Sequence, residues 1–244
     1  MTVSPLPLQI IVISLRRSLD RRAKVEQELK KVSFPWEFLD AVDGSALLKP
    51  PQEYRASKVR RLQGYELTPN EIGCYLSHKE AWKHCVEKNI PTLIFEDDFV
   101  LLPEFEHVIQ SLLSNPEAWS FVRLQGLYEV PYKALASIND VHLVKNIGDA
   151  VGATAYLLKP EIAKTLIRES GDIYEPADHF LEHHQKHGLE FLAIRPYPVD
   201  ITKAKSTIDD RQERVPVQGL RKRFRSVARA LDRLLSKDPW FPKP

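Results

Sequence analysis

Three consecutive carboxylates, Glu96, Asp97 and Asp98, interrupt two apolar runs in the stretch TLIFEDDFVL. An unpaired carboxylate buried at the end of a strand is costly or takes up a proton, so acids in this place call for a cation beside them. Carboxylate oxygens just past a strand can hold Mg²⁺ or Mn²⁺, and such an ion can neutralise a diphosphate, which makes Asp97 and Asp98 the candidate metal ligands. The plainer alternative is that Asp97 and Asp98 are solvated turn residues ahead of a helix that starts at Pro103.

The elements around the triplet follow from local pattern. LQIIVISL (8–15) is a continuous β-branched run, as in a strand buried on both faces of a mostly parallel sheet. A helix opened by Asp20 follows, then a strand in PWEFLDAVDGS with a turn at Asp43-Gly44. Residues 45–66 are polar and basic with Pro50-Pro51, and read as a mobile loop. Thr68, Pro69 and Glu71 form a capping-box signature for a helix reaching about Lys88, after which PTLIFED is a strand. PEFEHVIQSLL reads as a helix from Pro103, WSFVRLQGLY and ATAYLL as strands, KPEIAKTLIRES as a helix closed by Gly171, and EFLAIRPYPVD as the last strand. Alternating strands and helices indicate an α/β fold, with one continuous domain over 1–210 and an appendage over 211–244.

Composition is that of an ordinary globular protein: 244 residues, 43% of them hydrophobic, are enough for a real core. Cys74 and Cys85 fall on one expected helix, which excludes a disulfide framework or a four-cysteine zinc site and fits a reducing cytosol. The first residues lack the basic start and cleavage pattern of a signal peptide, and no run is long enough for a membrane-spanning helix. The net charge of +2 hides an asymmetry, because residues 219–235 carry six basic side chains against Asp232 alone.

VISLRRSLDRR (12–22), LDAVDGS (39–45), LTPNEIGCYLSHKEAW (67–82), LIFEDDFVL (93–101) and GATAYLL (152–158) occur in this order, a series that resembles glycosyltransferase family 25 over roughly residues 8–210. That family comprises bacterial lipopolysaccharide and lipooligosaccharide glycosyltransferases related to collagen galactosyltransferases. The resemblance implies a GT-A-type nucleotide-binding sheet flanked by helices, a UDP-sugar donor, most often UDP-galactose, and a Mn²⁺ or Mg²⁺ ion at the acidic motif. The chain departs from the family at Ser14, where an Asn is usual, and offers no histidine beside Ser206-Thr207-Ile208 as a further metal ligand.

Carried onto this sequence, the donor-binding set is Ser14, Leu15, Arg16, Arg17, Asp43, Gly44, Ser77, His78, Glu96 and Asp97. A planar guanidinium at Arg16 or Arg17 suits phosphate, although both also read as solvent-facing charges. Asp43 can accept from ribose hydroxyls or close a plain turn, and Glu71 has its structural task in the capping box. His78 shares a helix face with Tyr75, Trp82 and Cys85, and is either ligand-facing or a hydrogen-bonded, half-buried histidine. Inverting transfer needs a base for the acceptor hydroxyl. In IYEPADHFLEHH the first candidate is Asp178, which could equally be a helix N-cap, and Glu175 is the reserve; His183, His184 and His187 read as a solvated helix face.

In the tail, Leu220, Phe224, Val227, Leu231 and Leu234 recur at helical spacing beside the basic residues, a basic amphipathic helix of the kind that lies on anionic membranes; a helix docked on the core is the alternative. No nucleic-acid-binding motif accompanies the charge. The expectation is an inverting glycosyltransferase, with β-galactosyl transfer to a lipid-linked lipooligosaccharide acceptor as the first choice, peripheral on the cytoplasmic face of the inner membrane. The rivals are a Mg²⁺-dependent phosphohydrolase on a similar sheet and a non-catalytic nucleotide- or lipid-binding protein.

Overall fold

The computed structural model describes residues 7–202; the basic segment 219–235 and Ser206-Thr207-Ile208 lie outside the described residues. Strand β1 (Gln9–Ser14) is buried at every position and lies between β2 (Trp36–Asp40) and β3 (Thr92–Glu96), parallel to both. Strand β8 (Ala155–Leu158) runs antiparallel between β3 and β5 (Phe121–Arg123). Beyond β5 come β9 (Leu192–Arg195), parallel to it, and the hairpin β6 (Tyr132–Ile138) and β7 (Val141–Asn146), giving one eight-stranded mixed sheet. A separate two-stranded antiparallel ribbon joins β4 (Phe99–Leu101) to β10 (Val199–Ile201).

Alternation along the strands divides the core. Ile11, Ile13, Ile94 and Tyr156 face helices α3 (Pro69–Lys88), α5 (Pro160–Glu169) and α6 (Ala177–Glu182), through Trp82, Leu166 and Phe180 among others. Ile10, Val12, Leu93 and Phe95 face α1 (Leu19–Leu29) and α4 (Phe105–Ser114), through Val25, Leu29, Ile109 and Leu112. Each such fully buried side chain is worth about 1.5–3 kcal/mol, so the two apolar layers fix the sheet between helices and leave its edges to carry polar groups. Among the described residues no helix is long and apolar enough to cross a membrane.

Several local expectations change. The segment 45–66 is not one loop: α2 (Ala56–Leu62) forms within it, because Val59 and Leu62, one turn apart, are buried in the core. Helix α1 is preceded by Ser18 and not opened by Asp20, which lies in its first turn, and α4 starts two residues after Pro103. Helix α5 closes at Ser170. The hairpin β6–β7 turns through Asn139 and Asp140, both at positive φ, as a two-residue turn of matching twist requires. A short element, α7 (His184–His187), follows α6, and the solvated histidine face is only partly found: His184 is exposed and His183 half-buried, but His187 is buried, stacked on Phe191 at 4.8 Å, and burial pushes its imidazole down to about 3.

Helix α3 begins as its sequence indicates. Thr68 accepts from the Glu71 amide at 3.2 Å and Glu71 accepts from the Thr68 amide at 3.0 Å, so both orphan donors are satisfied. The loop after β2 then lies directly on this helix. A methyl at Gly44 would meet the Pro69 carbonyl oxygen at 2.0 Å, and one at Gly73 would meet the Val42 carbonyl at 2.6 Å. Both obstacles are backbone, which cannot rotate away. Gly44→Ala should therefore cost about 1–3 kcal/mol of stability or more in urea denaturation. Gly171→Ala, whose nearest neighbour atom lies 4.0 Å off, should stay within about 0.5 kcal/mol of the wild type.

Candidate active site

The carboxyl ends of β1, β2 and β3 open on a cleft of about 100 Å³. Its walls include Ser14 and Leu15 from the end of β1, Gly44 after β2, Ser77 on α3, and Glu96, Asp97 and Asp98 after β3. Seven of the residues expected from sequence thus meet in one place. The structure handles its three acids in three different ways.

Glu96 is held by a chain of hydrogen bonds that starts in the core. The Trp82 indole donates to the Tyr156 oxygen at 2.9 Å, and the one hydrogen of that hydroxyl is left for His78 Nδ1 at 2.8 Å. Nε2 must then carry the imidazole hydrogen, and it donates to Glu96 Oε1 at 3.2 Å. Cys74 (3.5 Å) and Thr154 (3.3 Å) also donate to Glu96. Burial opposes ionisation of Glu96, but the hydrogen bonds, that from His78 foremost, outweigh it and hold the carboxyl below its ordinary range. Burial also pushes the Tyr156 phenol well up, so it stays a donor. Cys74, His78 and Glu96 bring one ligand-type atom each within 4.8 Å of one another, a group compact enough for a metal ion. In the present tautomer, the thiol and the imidazole both give their hydrogens to the carboxylate.

Asp97 is neutralised by an arginine absent from the sequence-based set. Arg21 on α1 donates to Oδ1 at 2.5 Å, and Ser14 donates to Oδ2 at 2.7 Å. The pair is largely shielded, with side-chain exposures of 16% and 10%. The cation demanded by acids at this strand end is therefore Arg21, and Ser14 makes a contact that anchors the motif. Arg22 supports the same corner by donating to the Ser14 carbonyl at 2.9 Å and to Asp40 at 2.5 Å.

Asp98 receives no such compensation. Its Oδ1 is buried without a hydrogen-bond partner among the described residues. Burial first, then the charges of Glu96 and Asp97, push its carboxyl up to about 7, with Arg21 opposing. The next residues lead into β4, and the amide of Thr202 after β10 donates to the Asp98 carbonyl at 2.7 Å.

The remaining sequence-based candidates stand apart. Arg16 and Arg17 point to acids outside the cleft, Arg16 to the exposed Asp40 at 2.8 Å and Arg17 to the half-buried Asp43, and none of Arg16, Arg17 or Asp43 lines the cleft. Asp43 accepts from the Ser45 amide at 3.0 Å, the turn-closing role. Ser77 accepts from the Val42 amide at 2.8 Å and donates to the Gly73 carbonyl at 2.7 Å, which fastens the loop after β2 to α3. His78 is fully buried behind Glu96 and not turned toward a ligand. Neither Glu175 nor Asp178 lines the cleft. Glu175 is buried and ion-paired with His183 at 2.6 Å and with Lys186, which together outweigh burial and keep it below the ordinary range. Asp178 is not the N-cap, a position taken by Pro176; its Oδ1 accepts from the neighbouring His179 amide at 2.9 Å.

A second buried network lies further along the sheet, outside the cleft. Arg123 pairs with Glu182 at 2.8 Å and donates to the carbonyls of Val151 and Gly152, while Glu182 accepts from the Val151 amide at 2.9 Å. This clamp holds Val151 at φ 52°, a left-handed conformation that a β-branched residue rarely adopts. Three residues on, Thr154 reaches Glu96.

The family model described as glycosyltransferase family 25 (LPS biosynthesis protein) matches residues 8–181, the span that contains the whole cleft. The chain belongs to glycosyltransferase family 25. It is 32% identical to human procollagen galactosyltransferase 2 over 115 residues, covering 44% of this chain and 18% of that one. Human inactive glycosyltransferase 25 family member 3 is also 32% identical, over 140 residues, 52% of this chain and 23% of the relative. The chain thus spans about a fifth of the length of these two relatives. A glycosyltransferase involved in glycosylation of the major capsid of PBCV-1 is a structural neighbour at TM-score 0.41 and 12% identity, with 91% of this chain and 99% of the other covered.

The unpartnered Asp98 sets a pH dependence. An unfolded Asp98 ionises near 3.8 and the folded one near 7, so the fold loses stability as pH rises between these values and carries the full penalty above 7. Asp98→Asn removes that penalty. In EDTA the variant's melting temperature should gain on that of the wild type from pH 4 to pH 8. A gap constant with pH would show that Asp98 is not held protonated.

Proposed function

We propose that this protein is an inverting glycosyltransferase that moves a hexose, galactose as first choice, from a UDP-sugar to a growing lipooligosaccharide or lipopolysaccharide acceptor. The observation that carries the reading is the buried Oδ1 of the half-buried Asp98, without a hydrogen-bond partner among the described residues, at the carboxyl edge of the sheet, where open α/β sheets bind their ligands. The family description and the galactosyltransferase relative support the choice of acceptor class and sugar.

A divalent cation fits this cleft, since Asp98 offers a hard oxygen, Oδ1, that has no partner among the described residues, and Mg²⁺ and Mn²⁺ take such oxygens. When bound, the ion supplies positive charge to a departing diphosphate. Asp98 is the residue to hold it. Asp97, with one oxygen on Arg21 and the other on Ser14, keeps spare lone pairs but serves first to fix the guanidinium, which faces the cleft as a second positive group for phosphate. Glu96, kept ionised by His78, is a ready acceptor for donor hydroxyls. The cleft volume suits the phosphate portion of a donor, with the nucleoside lying along the open surface beside the loop after β2. Of the two proposed bases, Asp178 retains the role, because Glu175 is committed to Lys186 and His183.

Incubation with UDP-galactose, Mn²⁺ and a defined lipooligosaccharide should release UDP and lengthen the acceptor. Asp98→Ala should lower kcat by about a hundredfold or more. Release of inorganic phosphate without sugar transfer would favour the phosphohydrolase. The resemblance to a relative named inactive gives weight to a second reading, binding without turnover, which UDP binding in the absence of transfer to any UDP-sugar and acceptor pair would support.

The same proposal places the protein on the cytoplasmic face of the inner membrane through residues 219–235. Truncation after Gln218 should abolish sedimentation with anionic vesicles and spare transfer to a short soluble acceptor. Unchanged sedimentation would remove the tail from this role.

A further inference from the structure

The same edge of the sheet carries a second, larger cavity, of about 550 Å³, within the range of small-ligand sites. Strand β5 is antiparallel to β8, which is antiparallel to β3, so β5 and its parallel neighbour β9 end on the edge where β3 delivers Asp98. The cavity lies at those ends, lined by Gln125 after β5, Arg195 and Tyr197 at the end of β9, Tyr132 on β6, and Leu102 and Asp200 from the β4–β10 ribbon.

Its polar groups are built in and unspent. Arg195 is 6% exposed, stacks on Tyr197 with its guanidinium carbon 3.8 Å from the ring centre, and donates from Nη2 to Asn146 at 3.1 Å. Its Nε and Nη1 have no hydrogen-bond partner among the described residues; Nη1 lies 3.5 Å from the carboxylate of Glu129, a side chain 85% exposed. Gln125 is 4% exposed and donates Nε2 to the Gly126 carbonyl at 2.9 Å, which fixes the amide's orientation and leaves Oε1 as an acceptor without a partner. Donors and an acceptor are therefore buried and unsatisfied in one place, and such groups are ordinarily paired by a ligand or water.

The chemistry of the occupant follows from that mixture. Sulfate could accept from Arg195 but has no hydrogen to give Gln125, and any inorganic anion, phosphate included, would face the carboxylates of Glu129 and Asp200, both of which line the cavity. A hydroxyl both donates and accepts. A polyhydroxylated ring satisfies Arg195 and Gln125 together, tolerates the acids as acceptors, and can lay its C–H face on the half-exposed ring of Tyr132. Leu102 is four residues beyond Asp98 along β4, roughly 13 Å at about 3.3 Å per residue. That is too far for the reacting hydroxyl and suits a sugar further along an oligosaccharide.

We propose that this cavity is a carbohydrate subsite that holds a neutral sugar ring of the acceptor, remote from the hydroxyl that reacts. The proposal rests on the glycosyltransferase reading, and the test separates the two. Binding of lactose, maltose and methyl α-mannoside is followed by saturation-transfer NMR and titration, with UDP titrated in parallel. At least one neutral sugar should bind the wild type. Tyr132→Ala, an exposed position that does not endanger the fold, and Arg195→Lys should each weaken that sugar about tenfold or more and leave UDP affinity unchanged. Asp98→Ala should leave sugar binding intact. Sugar binding unaffected by both Tyr132→Ala and Arg195→Lys, no binding of any of the three sugars, or competition by inorganic phosphate stronger than by sugar, would overturn the subsite. Failure of UDP to bind the wild type would instead refute the donor site and leave the cavity to be judged on its sugar binding alone.

Discussion

Three like charges at the end of one buried strand cannot all ionise without help, and the arrangement of this molecule around β3 answers that constraint. Glu96 is supported from inside, by a relay that begins at Trp82 and passes through Tyr156 and His78. Asp97 is supported from the other face of the sheet, by Arg21 on α1. Two helices on opposite sides of the sheet are thus tied to adjacent residues of one strand end. What is left is Asp98, whose Oδ1 has no hydrogen-bond partner among the described residues, because Arg21, Ser14 and His78 make their hydrogen bonds to its neighbours.

The acidic triplet, the capping box at Thr68 and the strands around β1 were legible because their signals are local: alternation, a side chain three residues from its partner, an apolar run of set length. Arg21 was not. Its partner Asp97 lies 76 residues away, and an arginine in the first turns of a helix reads as a solvated charge unless the sheet register bringing α1 over β3 is known. The hairpin of β6 and β7 leaves a local signal, Asn139-Asp140 at its turn, but a weaker one than the apolar runs around it. His78 shows the limit from the other side. Helical spacing gave its face but not that Tyr156, 78 residues on, would take up one ring nitrogen and Glu96 the other.

The β4–β10 ribbon connects two regions that sequence distance separates widely. It starts at Asp98, whose carbonyl is held by Thr202, and ends at Leu102 and Val199 on the wall of the second cavity. A displacement of the ribbon would be felt at both sites. The clamp of Arg123 and Glu182 on Val151 and Gly152 holds the segment that leads into the strand supplying Tyr156. Groups at both cavities are mounted at the ends of strands, and their positions inherit the precision of the sheet.

The contact of Gly44 and Gly73 has an entropic side. Backbone lies against backbone there, with Ser77 pinning the Val42 amide, so at Gly44 and Gly73 the contact has no side-chain rotamers to freeze and the loop is seated directly on α3. The freedom that a flexible loop would surrender on meeting its ligand has been surrendered already, during folding, by the choice of two residues too small to hold the chain apart. A ligand arriving at that wall meets a surface with its shape settled in advance, and the free energy of contact goes into affinity instead of into ordering the protein.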